Sequence, residues 1–344
     1  MSEFLLAYGL FFAKVATGLI ALVFAVAIIG GARKQDEQSE LKISNLNEKF
    51  QDLRRRLLQA TMSNKAYKAL LKSETKADKK EAKTKVKSDD AGDSQCKPRL
   101  FVLEFEGDIK ASEVVSLRDE ITAVLSVAKD NDEVLLKLDN SGGMVHEHGL
   151  ASSQLTRITD AGIKLTVSVD KVAASGGYMM ACVADKIVAA PFSILGSIGV
   201  VAQLPNFSRL MDRAGIDFEQ HTAGKYKRTV TMFGKNSAAE RKKLKSELEE
   251  THTLFQNFVT EHRPQLDMDK VATGEHWYGT QALELKLVDE IITSDQLLMN
   301  SLSDYDLYSV DLEFKQGLQD KLLGGFLGAI EGVRDVFARN DRVS

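Results

Sequence analysis

Residues 98–308 predict an α/β domain in which helices cover a parallel sheet. The strand-like runs Leu100 to Phe105, Glu133 to Leu138 and Lys164 to Val169 alternate with Ala111 to Ala128 and Gly149 to Ala161, whose apolar residues recur at helical spacing. Such βαβ alternation puts the loops at the carboxyl ends of the strands in the usual place for chemistry. The third run leads into Val172-Ala173-Ala174-Ser175-Gly176-Gly177-Tyr178, and small residues with helical character follow from Met179 to Ala184. Ser175 therefore falls at a strand-to-helix turn, where two glycines permit a sharp bend and close approach of another chain segment.

From the amino terminus, Phe4 to Ile29 is apolar except for Lys14. It is long enough for the about 20 residues of a membrane-spanning helix, and too long for the apolar stretch of a signal peptide. Residues 1–32 are thus expected to be an uncleaved single-pass anchor. Arg33, Lys34, Lys42 and Lys49 follow it and no basic residue precedes it, which by the positive-inside rule puts the rest of the chain in the cytoplasm. In residues 33–72, Ile43, Leu46, Phe50, Leu53 and Leu57 form a stripe at spacings of three and four. Two readings stand: a short coiled coil that gathers protomers, or one amphipathic helix lying on the body or the bilayer. Residues 73–97 are Lys, Asp, Glu, Ala, Ser and Thr with few apolar side chains, which predicts a flexible charged tether.

Beyond the Ser175 turn, Asp185 to Ala190 and Ile194 to Val201 read as buried strand and turn, and Pro205 to Ala214 as helix. Asp217 to Thr222 reads as a strand. A long helix is expected from Ser237, which with Glu240 has capping-box spacing, to His262. Helix from Gly279 to Leu287 and strand from Val288 to Ile291 close the domain near Tyr308, and residues 309–344 are an amphipathic extension. A net charge of −4 gives no whole-chain reason to expect a nucleic-acid partner. The two cysteines, Cys96 in the tether and Cys182 in an apolar helix, offer no disulfide framework.

A serine nucleophile needs a base and donors for the oxyanion. Donors are available from Leu138-Asp139-Asn140-Ser141-Gly142-Gly143-Met144, whose paired glycines can turn N–H groups toward a developing charge, and from the Gly176 N–H. For the base, His252, His262 and His276 read as surface groups. His146 and His148, flanking the glycine loop with Glu147 between them, are too few ligands for a metal site and read as a solvated loop. Lysines are the other candidates: a buried amine beside positive neighbours loses its proton more readily and can act as base. On the residues alone Lys225, Lys227 and Lys235 are not ranked.

Asp139-Asn140-Ser141-Gly142-Gly143, Ala174-Ser175-Gly176-Gly177-Tyr178, Ala184-Asp185-Lys186-Ile187, Gly196-Ser197-Ile198-Gly199-Val200 and Gly224-Lys225-Tyr226-Lys227 occur in the order seen in the signal peptide peptidase A family of membrane serine proteases. The chain resembles that family over nearly its whole length. The resemblance implies a ClpP/crotonase-like fold and a Ser/Lys dyad, with Ser175 as nucleophile and Lys227 as general base. Ser197 would orient the lysine amine, and Gly143 and Gly176 would supply the oxyanion N–H groups. It implies no cofactor and no metal, apolar peptides such as signal peptides or membrane-protein fragments as substrates, and ring-like homo-oligomers in which the lysine reaches a neighbour's serine. It also implies a bacterial inner-membrane location with the peptidase domain periplasmic, against the cytoplasmic side given by the basic residues. One departure stands out: Asn140 and Ser141 replace the family's usual Ser-Pro before the two glycines, which frees the loop before it orders. The alternatives are a ClpP-type Ser-His-Asp hydrolase, which would need the distant His221, crotonase-like acyl-CoA chemistry, and a non-catalytic membrane scaffold with a degenerate peptidase fold.

Overall fold

A computed structural model describes residues 39–73, 76 and 97–314, with short helical stretches between residues 8 and 18. The predicted span at Phe4 to Ile29 and the charged tether lie mostly outside the described residues, as does the C-terminal extension beyond residue 314. Among the described residues no helix is long and apolar enough to cross a membrane. The chain divides into two units, one of residues 42–311 and one of residues 1–41 with 312–344. In the second, the described residues are helical between 8 and 18, with Leu10, Phe11 and Phe12 exposed.

In chain order the elements are β1 (Ser39–Asn45), α1 (Leu46–Thr61), β2 (Arg99–Gly107), α2 (Val114–Val127), β3 (Glu133–Asn140), α3 (Val145–Asp160), β4 (Lys164–Val169), β5 (Val172–Ala174) and α4 (Gly176–Ala181). Then come β6 (Lys186–Ala189), β7 (Ile194–Gly196), α5 (Ser208–Ala214), α6 (Ala238–His262), α7 (Met268–Val271), β8 (His276–Tyr278), α8 (Gly279–Glu284), β9 (Glu290–Ile291), α9 (Ser294–Ser301) and β10 (Asp306–Phe314). The sheet runs β1-β10-β2-β3-β4-β6-β9, with β5 branching from β3 to β7 and then β8. Pairing is parallel from β10 to β9 along this path and antiparallel between β7 and β8.

Strand alternation sends successive side chains to opposite faces, and here both faces are covered. Phe101, Leu103 and Phe105 of β2 and Val134, Leu136 and Leu138 of β3 enter the main core under α2, α3, α4 and α6. Leu100, Val102 and Leu135 point the other way, to a smaller core with Leu46, Leu298 and Leu307. Full burial of each such side chain contributes about 1.5–3 kcal/mol.

The smaller core explains the fate of the heptad-like stripe. Ile43 lies on β1 rather than on a helix, while Leu46 and Phe50 of α1 pack onto the sheet. Asn47 fixes the attachment: its Nδ2 donates to the Tyr305 carbonyl at 3.2 Å, and its Oδ1 accepts from Leu307 N–H at 2.7 Å. The first turns of α1 thus lie on the body, and Leu53 and Leu57 remain exposed. The strand expected at Asp217 to Thr222 does not form: with Phe218 its one apolar side chain the stretch has little to bury against a sheet, and those residues are exposed without regular structure. The Ser237 cap forms as the spacing predicts, with Glu240 N–H donating to Ser237 Oγ at 3.2 Å and Ser237 N–H donating to the Glu240 carboxylate at 2.6 Å.

Candidate active site

Ser175 stands between β5 and α4 at φ 53° and ψ −117°. Such a conformation costs a residue with a Cβ of the order of 1–3 kcal/mol and persists only when its surroundings hold it. They do so here: Ser175 N–H donates to the Gly196 carbonyl at 2.8 Å, and its own carbonyl accepts from Met179 N–H at 3.0 Å. Ser175 is half-buried, whereas Gly176 through Ala184 are buried.

Ser197 occupies the same kind of position one residue beyond β7, also at φ 53°, with its N–H donating to the Glu275 carbonyl at 2.6 Å. Parallel pairing puts Ala174 opposite Gly196. The two serines therefore follow equivalent steps of neighbouring strands, whose spacing is about 4.8 Å. Gly196 is required there, at φ +91°, because a Cβ would lie 2.7 Å from the Trp277 ring.

The glycine loop lies directly against the turn. A Cβ on Gly142, at φ +88°, would come 2.7 Å from Ser175 Cβ and 2.8 Å from the Gly176 nitrogen; one on Gly143 would come 2.1 Å from the Ile109 carbonyl oxygen. Gly143 N–H has no hydrogen-bond partner among the described residues. Gly176 opens α4, so its amide is unused by the helix. Two backbone amides without partners among the described residues thus lie on the segments that meet at a strained serine.

The lysine stands apart. Lys227 is exposed, and no hydrogen bond joins its amine to Ser175 among the described residues. It lines a cavity of about 760 Å³ with Leu204, His221, Arg228, Met232 and Phe233, and neither Ser175 nor Ser197 lines that space. The burial that the lysine reading calls for is absent in the single chain. His221, which a Ser-His-Asp arrangement would need, is exposed on the same cavity, with Nε2 3.4 Å from a Glu219 carboxylate oxygen. Lys225 sits over the Tyr226 ring at 5.1 Å, and Lys235 pairs with Asp212 at 3.1 Å.

Two polar residues at the floor of the site fall outside the expected set. Asn140, 1% exposed at the end of β3, and His148, fully buried on α3, meet at 3.0 Å through Oδ1 and Nε2. The expectation of a solvated loop fails for His148, because α3 begins at Val145 and turns that ring inward. His146 is exposed as expected. The signals available were the Asn-x-Gly spacing of an Asx turn at Asn140 and the four-residue interval from Met144 to His148. Cys182 is fully buried with its thiol pushed well up by burial, so it behaves as a small apolar side chain rather than a nucleophile. No group of three or more potential metal ligands occurs among the described residues.

The strained serine and its glycine loop sit on a chain that matches the model described as "Peptidase family S49 N-terminal" over residues 3–155 and that of "Peptidase family S49" over residues 157–305. The chain belongs to peptidase family S49, a class of proteases. Within it the chain is SohB-like: it is 48% identical over 330 residues to the "Probable protease SohB" of Haemophilus influenzae, covering 93% of this chain and 92% of that protein. It is also 48% identical over 307 residues to the protein of the same name from Buchnera aphidicola subsp. Schlechtendalia chinensis, covering 87% and 99%. A putative protease of Methanocaldococcus jannaschii is 34% identical over 196 residues, 54% of this chain and 61% of that protein.

Proposed function

We propose that the chain is a serine endopeptidase in which Ser175 is the nucleophile and Lys227 the general base, on a ClpP/crotonase-like fold. The observation that carries the reading is the left-handed Ser175 turn with the amides of Gly143 and Gly176 beside it. The Ser175 Oγ would add to the carbonyl carbon of a peptide bond as its proton passes to the neutral Lys227 amine. The carbonyl oxygen would become an oxyanion between the two amides. Collapse expels the amine half of the peptide, which takes the proton from Lys227 and leaves an acyl ester on Ser175. Water, deprotonated by the same lysine, then hydrolyses the ester and restores the serine. Ser197 would hold the amine in line.

Exposure of Lys227 in one chain supports a base supplied between copies. Val201 (76% exposed), Tyr226 (57%) and Phe233 (44%) are exposed apolar side chains on the same segment, which a neighbouring copy in a homo-oligomer would cover. The proposed setting is the bacterial inner membrane, anchored by residues 1–32, with apolar peptides such as signal peptides or membrane-protein fragments as substrates. Purified protein in mild detergent should hydrolyse apolar peptide esters, and Ser175→Ala and Lys227→Ala should each abolish this. Mixing the two variants should restore activity if the dyad forms between copies. A Lys227→Ala enzyme of unchanged rate would remove the dyad, and a His221→Ala enzyme without activity would move the base to histidine. An acylating probe that never labels Ser175 would leave the scaffold reading.

A further inference from the structure

We infer that Asn140 and His148 form one hydrogen-bonded positioning unit that sets the two oxyanion amides. The inference rests on the peptidase reading of Ser175. Asn140 Oδ1 accepts from Gly142 N–H at 2.6 Å and stands 3.0 Å from His148 Nε2, while His148 Nδ1 stands 3.0 Å from the Met144 carbonyl oxygen. The backbone fixes both side-chain orientations. Gly142 N–H can only donate, so the atom facing it is Oδ1 and not the amide nitrogen. The Met144 carbonyl and Asn140 Oδ1 can only accept, so each neutral tautomer of His148 donates to one of them and the doubly protonated ring donates to both. The remaining Asn140 atom, Nδ2, is buried without a partner. Leaving that donor unpaired costs about 1–3 kcal/mol, so the side chain does not sit there for stability alone.

The unit lies against both segments of the proposed oxyanion site. A Cβ on Gly176 would lie 2.4 Å from the His148 ring, and one on Gly177 2.2 Å from the Asn140 carbonyl oxygen. Thus the imidazole backs one amide-bearing residue, and the Asn140 side chain ties the loop that carries the other. Met144 N–H donates to the Ile109 carbonyl at 2.9 Å and pins the far end of that loop. With Ser141 where the family usually has proline, side-chain bonds replace a covalent restraint on the loop.

The test uses the full chain in detergent with Asn140→Ala, His148→Ala, their combination and His148→Gln. Each single change is expected to lower kcat for a peptide ester by about 100-fold, as loss of one oxyanion donor does, with KM within about twofold. Affinity for a peptide aldehyde, whose adduct on Ser175 carries the same oxygen, should fall by the same factor. The double variant should be no worse than the worse single, because the two act as one unit. Gln, which can still donate toward Asn140, should recover most of the loss. Amide hydrogen exchange of residues 139–146 should quicken in both alanine variants. Losses that multiply in the double variant, a change in KM alone, unchanged aldehyde affinity, or unchanged exchange would each overturn the inference. A wild-type enzyme that never reacts at Ser175 would instead remove the peptidase reading, and the exchange rates would then decide the positioning role alone.

Discussion

The Ser175 turn and the Lys227 segment are built in opposite ways. From Gly176 to Ala184 every residue is buried, whereas from Val201 to Arg228 Ser208 alone is. The turn is gripped by strands β5 and β7, by the glycine loop and by the His148 ring. The segment is held by local contacts such as the stacked Phe207 and Phe233 rings, 6.2 Å apart, and by Asn206, whose Nδ2 donates to the Thr231 and Gly234 carbonyls at 3.0 Å. Folding of one chain thus completes the proposed nucleophile and its amides and leaves the proposed base on an open surface. The asymmetry is what a catalytic set completed by assembly would require.

Glycine substitutions break this contrast most directly. Gly176→Ala puts a methyl 2.4 Å from the boxed His148 ring, so the turn must move. Ester hydrolysis should fall by about 100-fold or more and the melting temperature should drop; an unchanged kcat would mean that the close packing is not needed. In the supporting core, Arg263→Met strips Asp289 of guanidinium bonds at 2.9 and 2.7 Å. Denaturant titration should register a loss of about 2–3 kcal/mol, less than for a fully buried pair because Asp289 is a third exposed.

The same pair predicts a pH dependence. Burial alone would raise the Asp289 carboxyl, but Arg263 and the Ile187 N–H outweigh it and hold it below the ordinary carboxylate range. Its contribution is therefore complete above the unfolded value of about 4 and is lost as the pH falls below that. Asp289→Asn should flatten that part of the stability curve, and an unchanged slope would assign the acid sensitivity elsewhere. On the open segment Gly224→Ala meets nothing nearer than Lys227 Cβ at 3.9 Å and adds only the strain of φ +99°, about 1 kcal/mol by denaturant titration. Phe218→Ala, at a ring 40% exposed, should cost the single chain under about 1 kcal/mol yet weaken self-association measured by sedimentation. Equal losses in both assays would make the ring a core residue instead.

The buried half was the more legible in the sequence. Strands β2, β3 and β4 and helices α2 and α6 carry long, strongly periodic patterns, and the Ser175 and Ser197 motifs sit where those elements end. Strands β5, β7 and β8 have three residues each, too few for periodicity to register. β10 is defined by pairing Asp306 with Arg99, a relation that no local pattern reports. His148 reads as solvated in the sequence because, apart from the Met144 carbonyl, its surroundings come from β3 and α4. The Asp217 to Thr222 stretch, with one apolar residue, pairs with no strand among the described residues.

That late pairing has a consequence for synthesis. β10 lies beside β2 in the sheet yet is among the last described residues to be made, so a growing chain already holding the Ser175 turn keeps the hydrogen-bonding flank of Arg99 to Val102 bare until residue 309 emerges. A bare flank is where strands of other nascent chains add. Translation that stops short of β10 should therefore yield aggregates rather than a truncated protease.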